Sequence, residues 1–83
     1  MINVIEYTFI GKYITAFIEQ LPKRKTPIYK LCNQQNELIH LGEIKYNPSW
    51  RKYCFYPIDE TVFDSKCLLD IVEFMDKLNR KRR

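Results

Sequence analysis

The stretch from Leu41 to Pro57, LGEIKYNPSWRKYCFYP, constrains this chain more than any other. It holds one of two glycines, the sole tryptophan, and the rings of Tyr46, Tyr53, Phe55 and Tyr56. Apolar and polar residues alternate on each side of Asn47-Pro48-Ser49, the two-residue period of a half-buried strand. Asn, Pro and Ser favour reversal of the chain, so two antiparallel strands joined by a short turn are predicted. Such a pair buries nothing by itself and needs an element to pack against.

The C-terminal third supplies that element. Asp64 is placed to cap a helix, with Phe63 and Leu68 at the positions of a hydrophobic staple. Leu68, Ile71, Val72, Met75 and Leu78 repeat at helical spacing, and Cys67 and Phe74 widen the stripe. Asp70, Glu73, Asp76 and Lys77 fall on the opposite side. The run Arg80 to Arg83 suits the negative end of the helix dipole. Upstream, Ile28 to Cys32 is a predicted strand, Asn33 to Glu37 a hairpin loop, and Leu38 to Tyr46 the return strand. Trp50 to Tyr56 is the third strand of a meander, which Pro57 ends.

The N-terminal segment is ambiguous. Residues 4–10 alternate, with Ile5, Tyr7 and Phe9 on one face. From Ile10 the spacing becomes three and four through Tyr13, Ile14, Phe17, Ile18 and Leu21, a helical stripe that Pro22 would end. The expectation is a strand, a break near Gly11 and a helix to Leu21, with one longer helix as the alternative. Together these give one α+β domain over residues 1–83. It has an antiparallel sheet of three to four strands, a C-terminal helix packed on one face, and an N-terminal strand/helix segment.

At 83 residues such a chain buries only about 60–65% of its unfolded surface, so its core is thin. A composition 46% hydrophobic and 29% charged is globular and not disordered. No apolar run approaches the ~20 residues of a membrane span. The first residues lack a basic segment and carry Glu6, against a signal peptide. The three cysteines, Cys32, Cys54 and Cys67, are odd in number and widely spaced, which indicates a reducing cytoplasm. With no C-x-x-C pair and His40 as the sole histidine, no metal site is expected. Gly11 and Gly42 stand alone, so there is no phosphate-binding loop, and no cofactor is implied.

The net charge of +4 is uneven. Lys23, Arg24 and Lys25 form one cluster and Arg80, Lys81, Arg82 and Arg83 another. The remaining seven cations face ten carboxylates. A basic loop and a basic tail suit phosphate contacts if they meet in space, and are otherwise a solvated loop and a solvated tail. A Cys–His enzyme built on Cys67 and His40 lacks a third orienting group and an oxyanion motif, so no enzyme is expected.

The pattern Gly42-x-Ile44-x-Tyr46-x-x-x-Trp50-Arg51-x-Tyr53-x-Phe55-x-Pro57, followed by Thr61-x-Phe63 and Cys67-Leu68-x-x-Ile71-x-x-Phe74, resembles a family of short uncharacterised proteins. These are encoded by phages and integrated mobile elements, and often have tryptophan where this chain has Tyr46. The similarity spans roughly residues 28 to 78. It implies a bacterial or phage setting and a sheet with a C-terminal helix, and it implies no activity. Small mobile-element proteins often counter host defences or assist maintenance of the element.

The aromatic strand residues then have two readings. In one, the N-terminal segment covers the face that the helix leaves free, and the tyrosine hydroxyls reach the rim. In the other, Tyr46, Trp50, Arg51 and Tyr53 form an exposed surface that anchors a host or element-encoded protein, or a second copy of the chain. Arg51 can also simply stack on Trp50 or pair with Glu43. The expected function is a small non-enzymatic protein-interaction module, an inhibitor of a host enzyme or defence complex being one form. The alternative is a nucleic-acid binder using Lys23, Arg24, Lys25, Arg80, Lys81, Arg82 and Arg83.

Overall fold

Five strands follow one another across a single antiparallel sheet in a computed structural model, which describes residues 6–81. They are β1 (Glu6–Ile10), β2 (Ile14–Glu19), β3 (Ile28–Asn33), β4 (His40–Asn47) and β5 (Lys52–Pro57). Helix α1 (Ser65–Lys81) closes the chain. Strand order in the sheet equals order in the sequence, β1-β2-β3-β4-β5.

The expected helix over Ile10 to Leu21 is corrected to a turn and a strand, so the sheet has five strands and not three to four. Gly11 adopts φ 62, which glycine tolerates and other residues rarely do, and the chain reverses there. Ile14, Ala16 and Ile18 then alternate with Thr15, Phe17 and Glu19. Gln34 fixes this turn to the β3–β4 loop, donating from its amide to the carbonyls of Gly11 and Ile14, each at 2.9 Å. The expected strand over residues 4–10 is observed from Glu6, and Val4 and Ile5 lie outside the described residues.

Register assigns two faces. Ile18, Tyr29 and Ile44 pair in one inward row, and Ala16, Leu31 and Gly42 in the next. Tyr46 opposes Tyr53, and Ile44 opposes Phe55. Between Leu31 and Cys32 the register shifts by one residue, so Cys32 pairs with His40. This bulge lets Leu41 join the inner side of the sheet, where it packs against the core. At Gly42 a Cβ would lie 2.6 Å from the carbonyl oxygen of Tyr56, so the strands approach too closely for a side chain.

The helix runs back across the inner face. Asp64 caps it, accepting the Cys67 amide at 2.8 Å on its carboxylate. Asp70 lies beside Gly11 at one end of the sheet, and Asn79 bonds Tyr53 at the other. Ile71 is fully buried, and Cys67, Phe74, Met75 and Leu78 flank it against the sheet. Leu68 and Val72 are exposed, so the packed stripe is displaced by about one position from the predicted one. Full burial of Ile14, Leu31, Ile44 and Ile71 contributes roughly 1.5–3 kcal/mol apiece. Edge-to-face ring pairs lock the aromatic part of this core: Tyr29 with Phe74 at 5.3 Å, Tyr46 with Tyr53 at 5.8 Å, and Phe55 with Phe63 at 5.4 Å.

The first two strands extend the sheet at its edge and do not fold over it. Among the described residues the helix covers the inner face and no second layer covers the outer one.

Candidate nucleic-acid interface

One end of the sheet gathers cations. The β2–β3 loop carrying Lys23, Arg24 and Lys25 and the β4–β5 turn carrying Trp50 and Arg51 both lie there, because antiparallel pairing puts alternate connections at one end. Arg24, Lys25, Lys45, Pro48 and Tyr56 line a shared depression. The last turn of α1 arrives at the same end: Asn79 accepts the Tyr53 amide at 2.7 Å, so Arg80 and Lys81 follow close to the start of β5. Lys52, the first residue of β5, adds another cation. Arg82 and Arg83 lie outside the described residues.

Ion pairing leaves this end positive. Lys30 bridges Glu19 at 3.3 Å, Lys45 bridges Glu43 at 3.8 Å, and Lys66 bridges Asp70 at 3.4 Å. Among the described residues, no carboxylate is at ion-pair distance from Lys23, Arg24, Lys25, Arg51, Lys52, Arg80 or Lys81. The carboxylates of Glu37, Asp59, Glu60, Asp64 and Asp70 sit toward the opposite end, on the connections and first turns there, while Glu6, Glu19 and Asp76 lie toward the basic end. The domain is thus polarised along its strands.

The four residues first expected to form one aromatic surface are separated. Trp50 is 67% exposed and Arg51 is exposed beside it, both in the turn and not in the strand. Asn47 builds that turn, its side-chain oxygen accepting the amides of Ser49 at 2.9 Å and Trp50 at 3.1 Å, while Arg51 takes φ 56. Tyr53 is only 6% exposed beneath the helix, and Tyr46 packs against the same core. The correction follows from where the strand begins: at Lys52 the two-residue period restarts, so Tyr53 and Phe55 face inward. Glu43 pairs with Lys45 and not with Arg51.

The outer face carries a constellation that the sequence reading missed. Tyr7, Phe17, Lys30, Glu43 and Tyr56 stand in one row across all five strands. Tyr7 and Phe9, both 62% exposed, meet edge to face at 5.7 Å, and Tyr7 lies 6.1 Å from Phe17. The signal was the alternation of Tyr7 and Phe9 with Thr8, and it points outward only once β2 is recognised as a strand.

Cys67 packs toward the core, and burial together with Asp64 pushes its thiol pKa up, away from the thiolate a nucleophile needs. His40 is exposed on β4 and pairs across the sheet with Cys32, whose thiol burial likewise raises. Among the described residues no three His, Cys, Asp or Glu side chains group to hold a metal ion. No helix among them is long and apolar enough to cross a membrane.

The chain is thus a small α+β protein whose exposed features are a basic sheet end and an aromatic sheet face. It is 34% identical over 72 residues to the uncharacterised 9.3 kDa protein of Acholeplasma phage L2, a match covering 87% of this chain and 91% of that protein. The chain belongs to the family of that phage protein. No protein-family model and no solved structure matches it.

Proposed function

We propose that this phage-family protein is a non-enzymatic nucleic-acid-binding protein that works in the cytoplasm of a bacterial host. The observation that carries the reading is that the basic loop, the basic helix terminus and the turn bearing the exposed indole of Trp50 all lie at one end of the sheet. Seven cations there with no carboxylate at ion-pair distance among the described residues attract phosphates, and a projecting indole offers a stacking surface. The titration that tests it uses short single- and double-stranded DNA and RNA at ~50 and ~200 mM salt. If phosphates dominate, affinity falls steeply over that range. No binding to any of the four at the lower salt overturns the reading.

A second reading keeps the protein-interaction module, with a host or element-encoded protein as partner. Trp50 and the exposed helix flank of Leu68, Leu69 and Val72 favour it, because projecting apolar side chains are the usual anchors of protein contacts. An inhibitor of a host enzyme is one form of it, and a homodimer through the same flank another. Affinity capture from the native host with nuclease treatment separates the two readings. A partner protein retained after digestion favours the second, and its loss favours the first.

A further inference from the structure

We propose that the outer face of the sheet is a track for single-stranded nucleic acid, with Tyr7, Phe9 and Tyr56 as base-stacking rings and the basic end as the phosphate anchor. The proposal rests on the nucleic-acid reading above and names its substrate class. Its first ground is continuity. Four depressions run in series over the outer face, each sharing a wall with the next. The one at Tyr7 and Phe9 shares Phe17 and Glu37 with its neighbour, which shares Lys30 and His40 with a third. Tyr56 joins that third depression to the basic one at Arg24 and Lys25.

Charge is the second ground. Lys30 and Lys45 on this face are compensated by Glu19 and Glu43, and Glu37 lines two of the depressions, so the face itself carries no excess of positive charge. It therefore attracts ring surfaces more than phosphates, while the unpaired cations at its end attract the backbone. Lys45 sits over the Tyr56 ring at 4.7 Å, linking the two kinds of surface. A duplex gains nothing from exposed rings, because its bases are already stacked on each other. A single strand gains about 1–3 kcal/mol for each base that stacks on a ring. Five strands spaced ~4.8 Å apart make a row about 19 Å wide, room for several nucleotides of an extended single strand.

The test compares a labelled 20-nucleotide oligothymidine with a 20-base-pair duplex at ~50 mM salt, using the whole chain and a Tyr7→Ala, Phe9→Ala double variant. Both rings are exposed, so the variant should melt within a few degrees of the parent. Expected are tighter binding of the single strand than of the duplex and a loss of about 10- to 100-fold for the single strand in the variant, with an unchanged salt slope. Tyr56→Leu, placed on a different strand, should weaken the single strand in the same way and guards against a fold defect near β1. Equal affinity for single strand and duplex, unmoved by either variant, overturns the track and leaves the basic-end reading standing. Binding of neither nucleic acid removes that reading and the track with it. A drop in molar mass by light scattering without loss of single-strand affinity assigns the rings to self-association and also overturns the proposal.

Discussion

Asn79, on the last turn of α1, accepts the backbone amide of Tyr53 at 2.7 Å and donates its own amide to the Tyr53 carbonyl at 3.5 Å. A single side chain thus satisfies both backbone groups of a residue on edge strand β5 and ties the helix terminus to the sheet. Asn79→Ala should leave both groups short of partners in a half-buried site, a loss of about 1–2 kcal/mol. For a chain this size that lowers Tm by roughly 4–8 °C per kcal/mol. Asn79→Asp keeps the acceptor and should lose less.

The two glycines should respond unequally to alanine. At Gly42 the new Cβ meets the backbone oxygen of Tyr56 at 2.6 Å with φ 155, and neither strand can withdraw without breaking the ladder. A loss of roughly 2–4 kcal/mol is expected. At Gly11 the nearest atoms belong to the Asp70 side chain and not to backbone, so the neighbour can yield by giving up its pair with Lys66, a small addition to the cost of φ 62, about 1 kcal/mol. Denaturant midpoints of the two variants give the order directly.

The helix cap should make stability depend on acid. The Cys67 amide holds the Asp64 carboxyl below its ordinary pKa. A carboxyl depressed in the folded state contributes stability that is complete above its unfolded pKa and lost as pH falls through the folded value. Asp64→Ala should therefore lower Tm at pH 7, and the difference from the parent should close as the pH is taken below the usual carboxylate range. A difference that persists in acid would assign the effect to something other than the ionised cap.

Removing Trp50 should cost function and not fold. Because two thirds of the residue is exposed, Trp50→Ala should keep the parent melting curve while weakening nucleic-acid binding. Replacing Lys23, Arg24 and Lys25 together by alanine should flatten the salt dependence for single strands by roughly 2 in slope, at ~0.7 per phosphate contact.

The cysteines should react in a set order. Cys32 is buried at 3% exposure and its thiol is raised by that burial, so it should be the slowest of the three toward a thiol reagent at neutral pH, with Cys54 faster. Peptide mapping after brief labelling checks this.

The helix and the strands from Ile28 onward were legible because their periods are unmixed: Asp64 marks the cap, and Asn47-Pro48 marks the reversal. Residues 10–21 were not, because Ile10, Ile14 and Ile18 fit a spacing of four as well as a spacing of two, and Tyr13, Phe17 and Leu21 complete a helical stripe with them. Ala16, the inward member of the true pattern, is too small to register as apolar. That misreading hid the outer face, since a helix there would have covered the rings that a hairpin leaves bare. Tyr46 and Tyr53 were assigned to a surface for a related reason. Sequence gives alternation along a strand, but which parity faces the helix is decided by packing against Phe74 and Tyr29. That the basic loop and the last turn of the helix lie at the same end was invisible until topology put both there.

Strand order that follows chain order also bears on how the protein is made. Each hairpin closes against its immediate predecessor, so the sheet can assemble while the ribosome is still working. The helix that shields Ile14, Leu31 and Ile44 is synthesised after all five strands. A nascent chain halted before Phe74 would present a finished sheet with its greasy side bare, and premature stops in that interval should yield insoluble aggregates in place of a smaller working protein.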